Sequence, residues 1–233
     1  MSYKQTLIKF LLKTFFMKRI LFSVAVITAV AAVTILSSAF IPSAKSISGE
    51  EKVAHSFPAD AVKWTIDKAH SNVKFAITHL VVSEVEGSFK LFDGSMEATK
   101  ADYSDAKINF TVDVTSINTD NDKRDEHLKG DDFFNAEKYP AMKFQSTSFT
   151  PAGGNKYKLA GNLTIRDVTK PVVFDVTYGG TANMMGKTKA GFKAKTTINR
   201  FDYNLKWDKA TETGGLVVSK DVDLVVNVEM NKG

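Results

Sequence analysis

The sequence of 233 residues predicts an all-β fold in which about eight antiparallel strands close into a barrel. Three observations carry this. From Trp64 onward apolar and polar residues alternate with period two, the mark of strands with one buried and one wet face. Turn signals separate the runs: Phe92-Asp93-Gly94, Pro151-Ala152-Gly153-Gly154, Gly179-Gly180 and Gly214-Gly215. Several runs are long and few helices are at hand to cover them, so the sheet must stack as a sandwich or close as a barrel. Long strands with mostly local connections favour the barrel, which also removes exposed edges.

The elements follow in order. One strand sets Val73, Phe75, Ile77 and His79 against Lys74, Ala76 and Thr78. The next sets Val85, Gly87, Phe89 and Leu91 on the apolar side, and a third Ile108, Phe110, Val112 and Val114. Later inner faces read Tyr157, Leu159, Gly161, Leu163, Ile165; then Val172, Phe174, Val176, Tyr178; then Phe192, Ala194, Thr196, Ile198. Val222, Leu224, Val226, Val228 and Met230 close the chain. Gly87, Gly161 and Gly191 fall inside strands, where glycine marks a bend or bulge. An interior bounded by eight strands can be filled by side chains or can hold one small ligand. Periodicity leaves both open.

The alternation stops at residues 121–140, NDKRDEHLKGDDFFNAEKYP. Arg124, His127 and Leu128 stand at i, i+3 and i+4, one face of a short helix. Asn118, Thr119 or Asp120 are candidates to cap its start. Such a turn of helix belongs at one end of a barrel, where Leu128, Phe133 and Phe134 can line the opening and Arg124 and His127 can meet a polar head.

Beyond residue 40 the basic residues are 23 Lys and three Arg: Arg124, Arg166 and Arg200. Each Arg in so Lys-rich a chain is a candidate for planar, multi-donor contacts. Arg166 and Arg200 are expected in structural ion pairs.

Residues 1–39 are read as a secretory signal, with Met17 a candidate for the true start. Lys18-Arg19 precede an uncharged stretch, Ile20 to Ala44, with small residues at Ser37-Ser38-Ala39. An uncleaved membrane anchor is the alternative. Residues 40–61 read as a flexible tether, and 62–233 as the folded domain. Five of the 31 basic residues lie before residue 40 and none of the 26 acidic ones does, so the exported chain is formally neutral. That removes the basic footprint nucleic-acid binding requires. There are no cysteines, hence no disulfides and no Cys-based zinc site.

Other chemistry finds little support. His70 and His79 are nine residues apart and face opposite sides of one regular strand, which argues against a shared metal. Asp67, His70 and Ser71 suit a local hydrogen-bond cluster at a kink. No nucleophile elbow, phosphate loop or dinucleotide fingerprint occurs, and no enzyme activity or cofactor is expected. Strand faces bearing Lys74, Lys90, Lys143, Lys158, Lys193 and Lys195 do not suit an outer-membrane barrel.

Taken in order, the motifs resemble a known family. They are Trp64-x-Ile66-Asp67-x-x-His70-Ser71, Phe75-x-x-x-His79 and Gly87-x-Phe89; then Ser116-Ile117-Asn118-Thr119, Arg124-Asp125-x-His127-Leu128, Asp132-Phe133-Phe134 and Tyr139-Pro140. Phe144-x-Ser146, Gly161-x-Leu163-Thr164-Ile165-Arg166, Thr169-Lys170-Pro171-Val172 and Asn199-Arg200-Phe201-Asp202-Tyr203 complete the set. This is similar to the YceI-like polyisoprenoid-binding family over about residues 62–230. It departs from the simplest pattern at Asn118-Thr119 and at Asp167.

The resemblance implies an eight-stranded antiparallel lipocalin-like barrel with a short helical insertion near one end. It implies an elongated apolar pocket for an isoprenoid chain, such as a polyprenyl phosphate or a quinone tail, and a periplasmic location. Phe75, Ile77, Phe89, Phe110, Leu128, Phe133, Phe134 and Phe144 are then candidates for the pocket wall, and His79, Arg124 and His127 for the head-group end. The role expected is transport, storage or stress response, with transient membrane contact for lipid exchange; a dimer is compatible with the sequence. The rival reading is a structural or interaction barrel with a packed interior and no lipid.

Overall fold

The computed structural model describes residues 60–212 and 215–233. The expected signal at 1–39 and nearly all of the expected tether lie outside the described residues. What is described is a closed antiparallel barrel. Its strands are β1 (Val62–Ile66), β2 (Asn72–His79), β3 (Ser83–Phe89), β4 (Phe92–Ala98), β5 (Lys107–Asp113), β6 (Ile117–Asn118), β7 (Ala141–Pro151), β8 (Lys156–Ile165), β9 (Val168–Met184), β10 (Lys187–Asn199) and β11 (Val218–Lys232). One helix, α1 (Asp122–Lys129), follows β6.

The eleven segments make eight staves, because three staves are broken. Segments β1 and β2 lie along the same side of β11, with Trp64 opposite Lys232 and Val73 opposite Val226. Pairing of β2 with β3 and of β1 with β4 makes the next stave. Pairing of β3 with β6 and of β4 with β5 makes the third. From β5 the meander runs through β7, β8, β9 and β10 to β11, which closes the ring. Closure leaves each full stave with a partner on both sides, as alternation with local turns demands.

Each break has a local cause. Between β1 and β2, Asp67 caps a short 3-10 turn (Lys68–His70), its Oδ1 accepting from the Ala69 N–H at 3.1 Å. Between β5 and β6, Asp113 does the same for Thr115 at 2.8 Å. The break at Lys90-Leu91 shifts the phase of alternation: Phe89 and Phe92 both point inward and Leu91 is left 59% exposed. The expectation that Leu91 shares the inner face is therefore corrected. Its backbone N–H is held instead by the Ser116 hydroxyl at 2.9 Å.

Two strand glycines make room for rings, and Gly161 also lies opposite a bulge, where the β7–β8 register shifts between Ser146 and Ser148. A Cβ on Gly87 would sit 2.3 Å from Phe75 Cζ, and one on Gly161 2.4 Å from Phe144 Cζ. Gly191 does mark a bulge, where the β9–β10 register shifts before Phe192.

The barrel has two unlike ends. One carries the β4–β5 connection and the β7–β8 and β9–β10 turns, and is closed by an aromatic plug. Tyr103 meets Trp64, Tyr178 and Phe192 edge-on with ring centroids 5.5–5.8 Å apart, and Phe149 stacks on Tyr157 at 4.5 Å. Tyr157 Oη donates to the Asp102 carbonyl at 3.0 Å, which gives its buried hydroxyl a partner. Burial also raises the pKa of the Tyr103 phenol. The other end carries α1, the β2–β3 and β8–β9 turns and the segment after β10.

Candidate functional site

The interior is hollow. A cavity of about 470 Å³ runs from the plug toward the α1 end, walled almost entirely by apolar side chains. The eleven residues singled out in the sequence, Phe75, Ile77, His79, Phe89, Phe110, Arg124, His127, Leu128, Phe133, Phe134 and Phe144, all lie on its lining. Lining residues from the later strands include Phe174, Val176, Ala194, Leu224 and Val226. Several inward side chains, among them Phe75, Phe110, Leu224 and Val226, are only partly buried although they point into the barrel. They face empty space, where a close-packed core would cover them.

At the α1 end the chemistry changes. The helix is capped by Asn121, whose side chain accepts from the Arg124 N–H at 3.0 Å. The expected caps, Asn118, Thr119 and Asp120, are not used. Thr119 is occupied elsewhere: buried Asp125 accepts from its N–H at 2.9 Å and from its hydroxyl at 2.5 Å. Asp120 adopts a positive φ of 58° as the chain turns into the helix.

Arg124 Nε donates to Thr119 Oγ1 and its Nη2 to the Thr119 carbonyl, both at 2.7 Å. Helix and β6 are thus joined through an Asp125–Thr119–Arg124 chain. His127 Nε2 lies 3.0 Å from Asp132 Oδ2, and its ring stands edge-on to Phe133 and Trp207. Leu128 and Phe134 fill the space beneath, with Phe134 edge-on to Phe89 at 5.9 Å. His79, at the end of β2, lines the cavity, and its ring makes no hydrogen bond or ion pair among the described residues.

The remaining arginines fasten the irregular segments around this end. Arg166 donates to the carbonyls of Asp131, Phe133 and Asn204 and pairs with the Asp131 carboxylate at 3.1 Å. The expected ion pair is present there. Arg200 departs from expectation. It is 3% exposed, and its donors go to four backbone carbonyls: Ser219, Leu205, Trp207 and Val218, at 2.7–3.2 Å. Five N–H groups in a rigid fork suit carbonyls that no strand partner satisfies. Asp167, where the family pattern is broken, accepts from Tyr139 Oη at 3.2 Å on the outside of the same end.

Trp207 was not singled out in the sequence. It stacks on Phe133 with centroids 5.7 Å apart and forms part of the cavity wall. Its signal was its position, one of two tryptophans and placed in a segment without alternation.

Outside the barrel, Asp67, His70 and Glu229 bring ligand atoms within 4.8 Å of one another. Lys189 Nζ already bonds Asp67 at 2.8 Å and Glu229 at 2.5 Å, so an ammonium supplies the cation. Hydrogen bonds from Lys189 and then His70 hold the Asp67 carboxyl well below the usual carboxylate range. Of the cluster expected at the kink, Asp67 and His70 do meet, at 3.1 Å, whereas Ser71 Oγ accepts from the Glu229 N–H at 3.0 Å instead. His79 lies at the far end of β2 and has no part in it.

A closed apolar barrel with one polar end suits a long apolar ligand held in its interior. Comparison with known proteins agrees. The model of the YceI-like domain matches residues 64–230. A UPF0312 protein of Staphylococcus aureus is 39% identical over 170 residues, 72% of this chain and 96% of that protein. The crystal structure of the Campylobacter jejuni YCEI protein is 38% identical, covers 72% of this chain and 97% of its own, and superposes with a TM-score of 0.59. Burkholderia cenocepacia BcnA is 27% identical, with a TM-score of 0.61 over 70% of this chain and 98% of its own. A polyisoprenoid binding domain from Saccharophagus degradans, 15% identical with a TM-score of 0.53 over 73% of this chain and 98% of its own, shares the fold. With its barrel, its motifs and its relatives in agreement over nearly the whole folded region, the chain belongs to the YceI-like family.

Proposed function

We propose that this protein is an exported, non-enzymatic carrier that holds an isoprenoid lipid in its barrel, either a polyprenyl phosphate or an isoprenoid quinone. The observation that carries the reading is the cavity: apolar along its length, sealed at one end, polar at the other. At about 30 Å³ for a water-sized or methylene-sized group, its volume holds about 15 carbons, or roughly three isoprene units. A longer chain would extend through the α1 end. Burying an apolar chain there gains about 0.8 kcal/mol for each CH₂ removed from water, before ordering costs.

The head group would sit among His79, Arg124 and His127. Arg124 and His127 already have protein partners, so they brace the opening as well as facing it. His79 is the free donor or acceptor of the three. The uncharged N-terminal stretch supports export to the periplasm. A lipid too insoluble to cross an aqueous compartment alone is a fitting cargo there.

Native mass spectrometry of the protein purified from its own host tests this. Bound masses spaced by one isoprene unit are expected. An empty interior that also fails to take up farnesol would overturn the reading in favour of a structural barrel.

A further inference from the structure

We propose that the tip of the β2–β3 hairpin, Leu80-Val81-Val82, is a membrane-docking element that seats the mouth of the barrel on a lipid bilayer. The inference rests on the carrier reading and adds to it the surface through which lipid is exchanged.

The tip breaks two rules at once. It is a tight turn closed by the Val82 N–H donating to the His79 carbonyl at 3.2 Å, with positive φ at both central residues, 50° at Leu80 and 65° at Val81. Turns of this kind call for Asn and Gly, and a β-branched residue at positive φ is a genuine outlier. The tip is also apolar and uncovered: Leu80 is 42% exposed, Val81 85% and Val82 83%. Strain without burial gains nothing for the isolated fold, and such strain collects at functional sites.

Position decides the partner. The tip continues directly from the cavity wall. His79 and Val217 line the cavity, and the Leu80 N–H donates to the Val217 carbonyl at 2.9 Å. A convex apolar point beside the opening of an apolar tunnel fits a soft apolar phase. A protein partner would need a matching pit. The cargo also needs an unbroken apolar route, and a tip immersed among acyl chains supplies one.

A second exposed apolar tip, Met184-Met185 on the β9–β10 turn, serves as an internal control. It projects from the plugged end, where no cavity opens among the described residues.

The chain has no cysteine, so a single Cys can carry a polarity-sensitive fluorophore without competition. Val82→Cys and Met185→Cys would be labelled in the exported protein and mixed with phosphatidylethanolamine–phosphatidylglycerol vesicles. A blue shift and protection from an aqueous quencher are expected at position 82 and not at 185. The double variant L80N/V81G should weaken vesicle partition roughly tenfold or more, since two large apolar side chains leave the interface. It should also raise Tm by about 2–4 °C by relieving the turn. Farnesol binding, measured on the same samples, should persist, because neither residue lines the cavity. An unshifted label at 82, or an equal shift at 185, overturns the inference and leaves the carrier reading intact. Docking at 82 by a protein that binds no farnesol overturns the carrier reading instead.

Discussion

Replacing Ala194 by Phe should shorten the ligand that the barrel accepts. Ala194 lies on β10 between Val176 and Val226 and points into the cavity. It is half-buried, because the space before it is empty. The substitution adds a six-carbon ring to a void that holds about 15 carbons. If the ring displaces about six ligand carbons, the ceiling on lost affinity is about 5 kcal/mol at 0.8 kcal/mol per CH₂. The mouth is open, so the ligand can slide outward and recover about half. The expected loss for farnesol is therefore about 2–3 kcal/mol, on the order of a hundredfold. Geraniol, one isoprene unit shorter, fits nearly all of the remaining volume and should lose less than about tenfold. Titration monitored by native mass spectrometry reads both, with near-UV circular dichroism confirming a folded barrel. Unchanged farnesol affinity in the folded variant would place the ligand elsewhere. Equal losses for the two chain lengths would refute the reasoning that length is limited by the void.

Two other perturbations probe the frame. Arg200→Met keeps the side chain's bulk but strips donors from four carbonyls around a nearly inaccessible site. A loss of roughly 3–5 kcal/mol is expected, seen as a Tm lowered by about 10 °C; a change under about 2 °C would show that water replaces the guanidinium. The pH dependence should report Asp67, whose folded pKa is depressed by Lys189 and His70. A depressed carboxylate contributes stability above its unfolded pKa of about 3.9 and loses it as pH falls toward the lower folded value. Wild-type Tm should therefore fall below about pH 4 more steeply than that of Asp67→Asn, and parallel acid limbs would contradict the assignment.

The barrel was legible because alternation is a local property that records which side of a strand meets water. β8 shows this plainly: Tyr157, Leu159, Gly161, Leu163 and Ile165 are buried, and Lys156, Lys158 and Asn162 are exposed. The helix was legible from Arg124, His127 and Leu128, although its cap was placed too early. Asn118, Thr119, Asp120 and Asn121 all have capping chemistry, and only the surrounding structure settles which one caps: Asn118 pairs with Ser88, Thr119 bonds Asp125, and Asp120 turns at positive φ. Leu91 misled because a break of two residues resets the period, and alternation carries no mark of the reset. The aromatic plug was illegible for a related reason. Tyr103 lies in a connection, and nothing local links it to Trp64, Phe149 or Phe192. The void itself could not be read at all, since an inward Phe looks the same in sequence whether it meets another ring or empty space.

The scarcity of arginine now has a structural account. Within the strands, backbone carbonyls are satisfied by the ladders, and lysine suffices for the wet outer face. At the α1 end the ladders stop, yet the chain must still form a rim around an opening. That irregular backbone leaves carbonyls needing donors in a place where water is partly excluded. All three arginines of the folded region work there. Between them they reach eight backbone carbonyls: Thr119 by Arg124; Asp131, Phe133 and Asn204 by Arg166; Leu205, Trp207, Val218 and Ser219 by Arg200. A lysine at any of these positions would offer three donors from one point and could not span carbonyls several ångströms apart. The rim is thus fixed on the sides of α1 and the segment after β10. Among the described residues no arginine reaches the tip of the β2–β3 hairpin, whose apolar side chains stand exposed beside His79. Rigidity on one arc of the mouth and an exposed apolar tip on the other is the division of labour that the proposed carrier would need, since its opening would have to keep its shape while a chain passes through it.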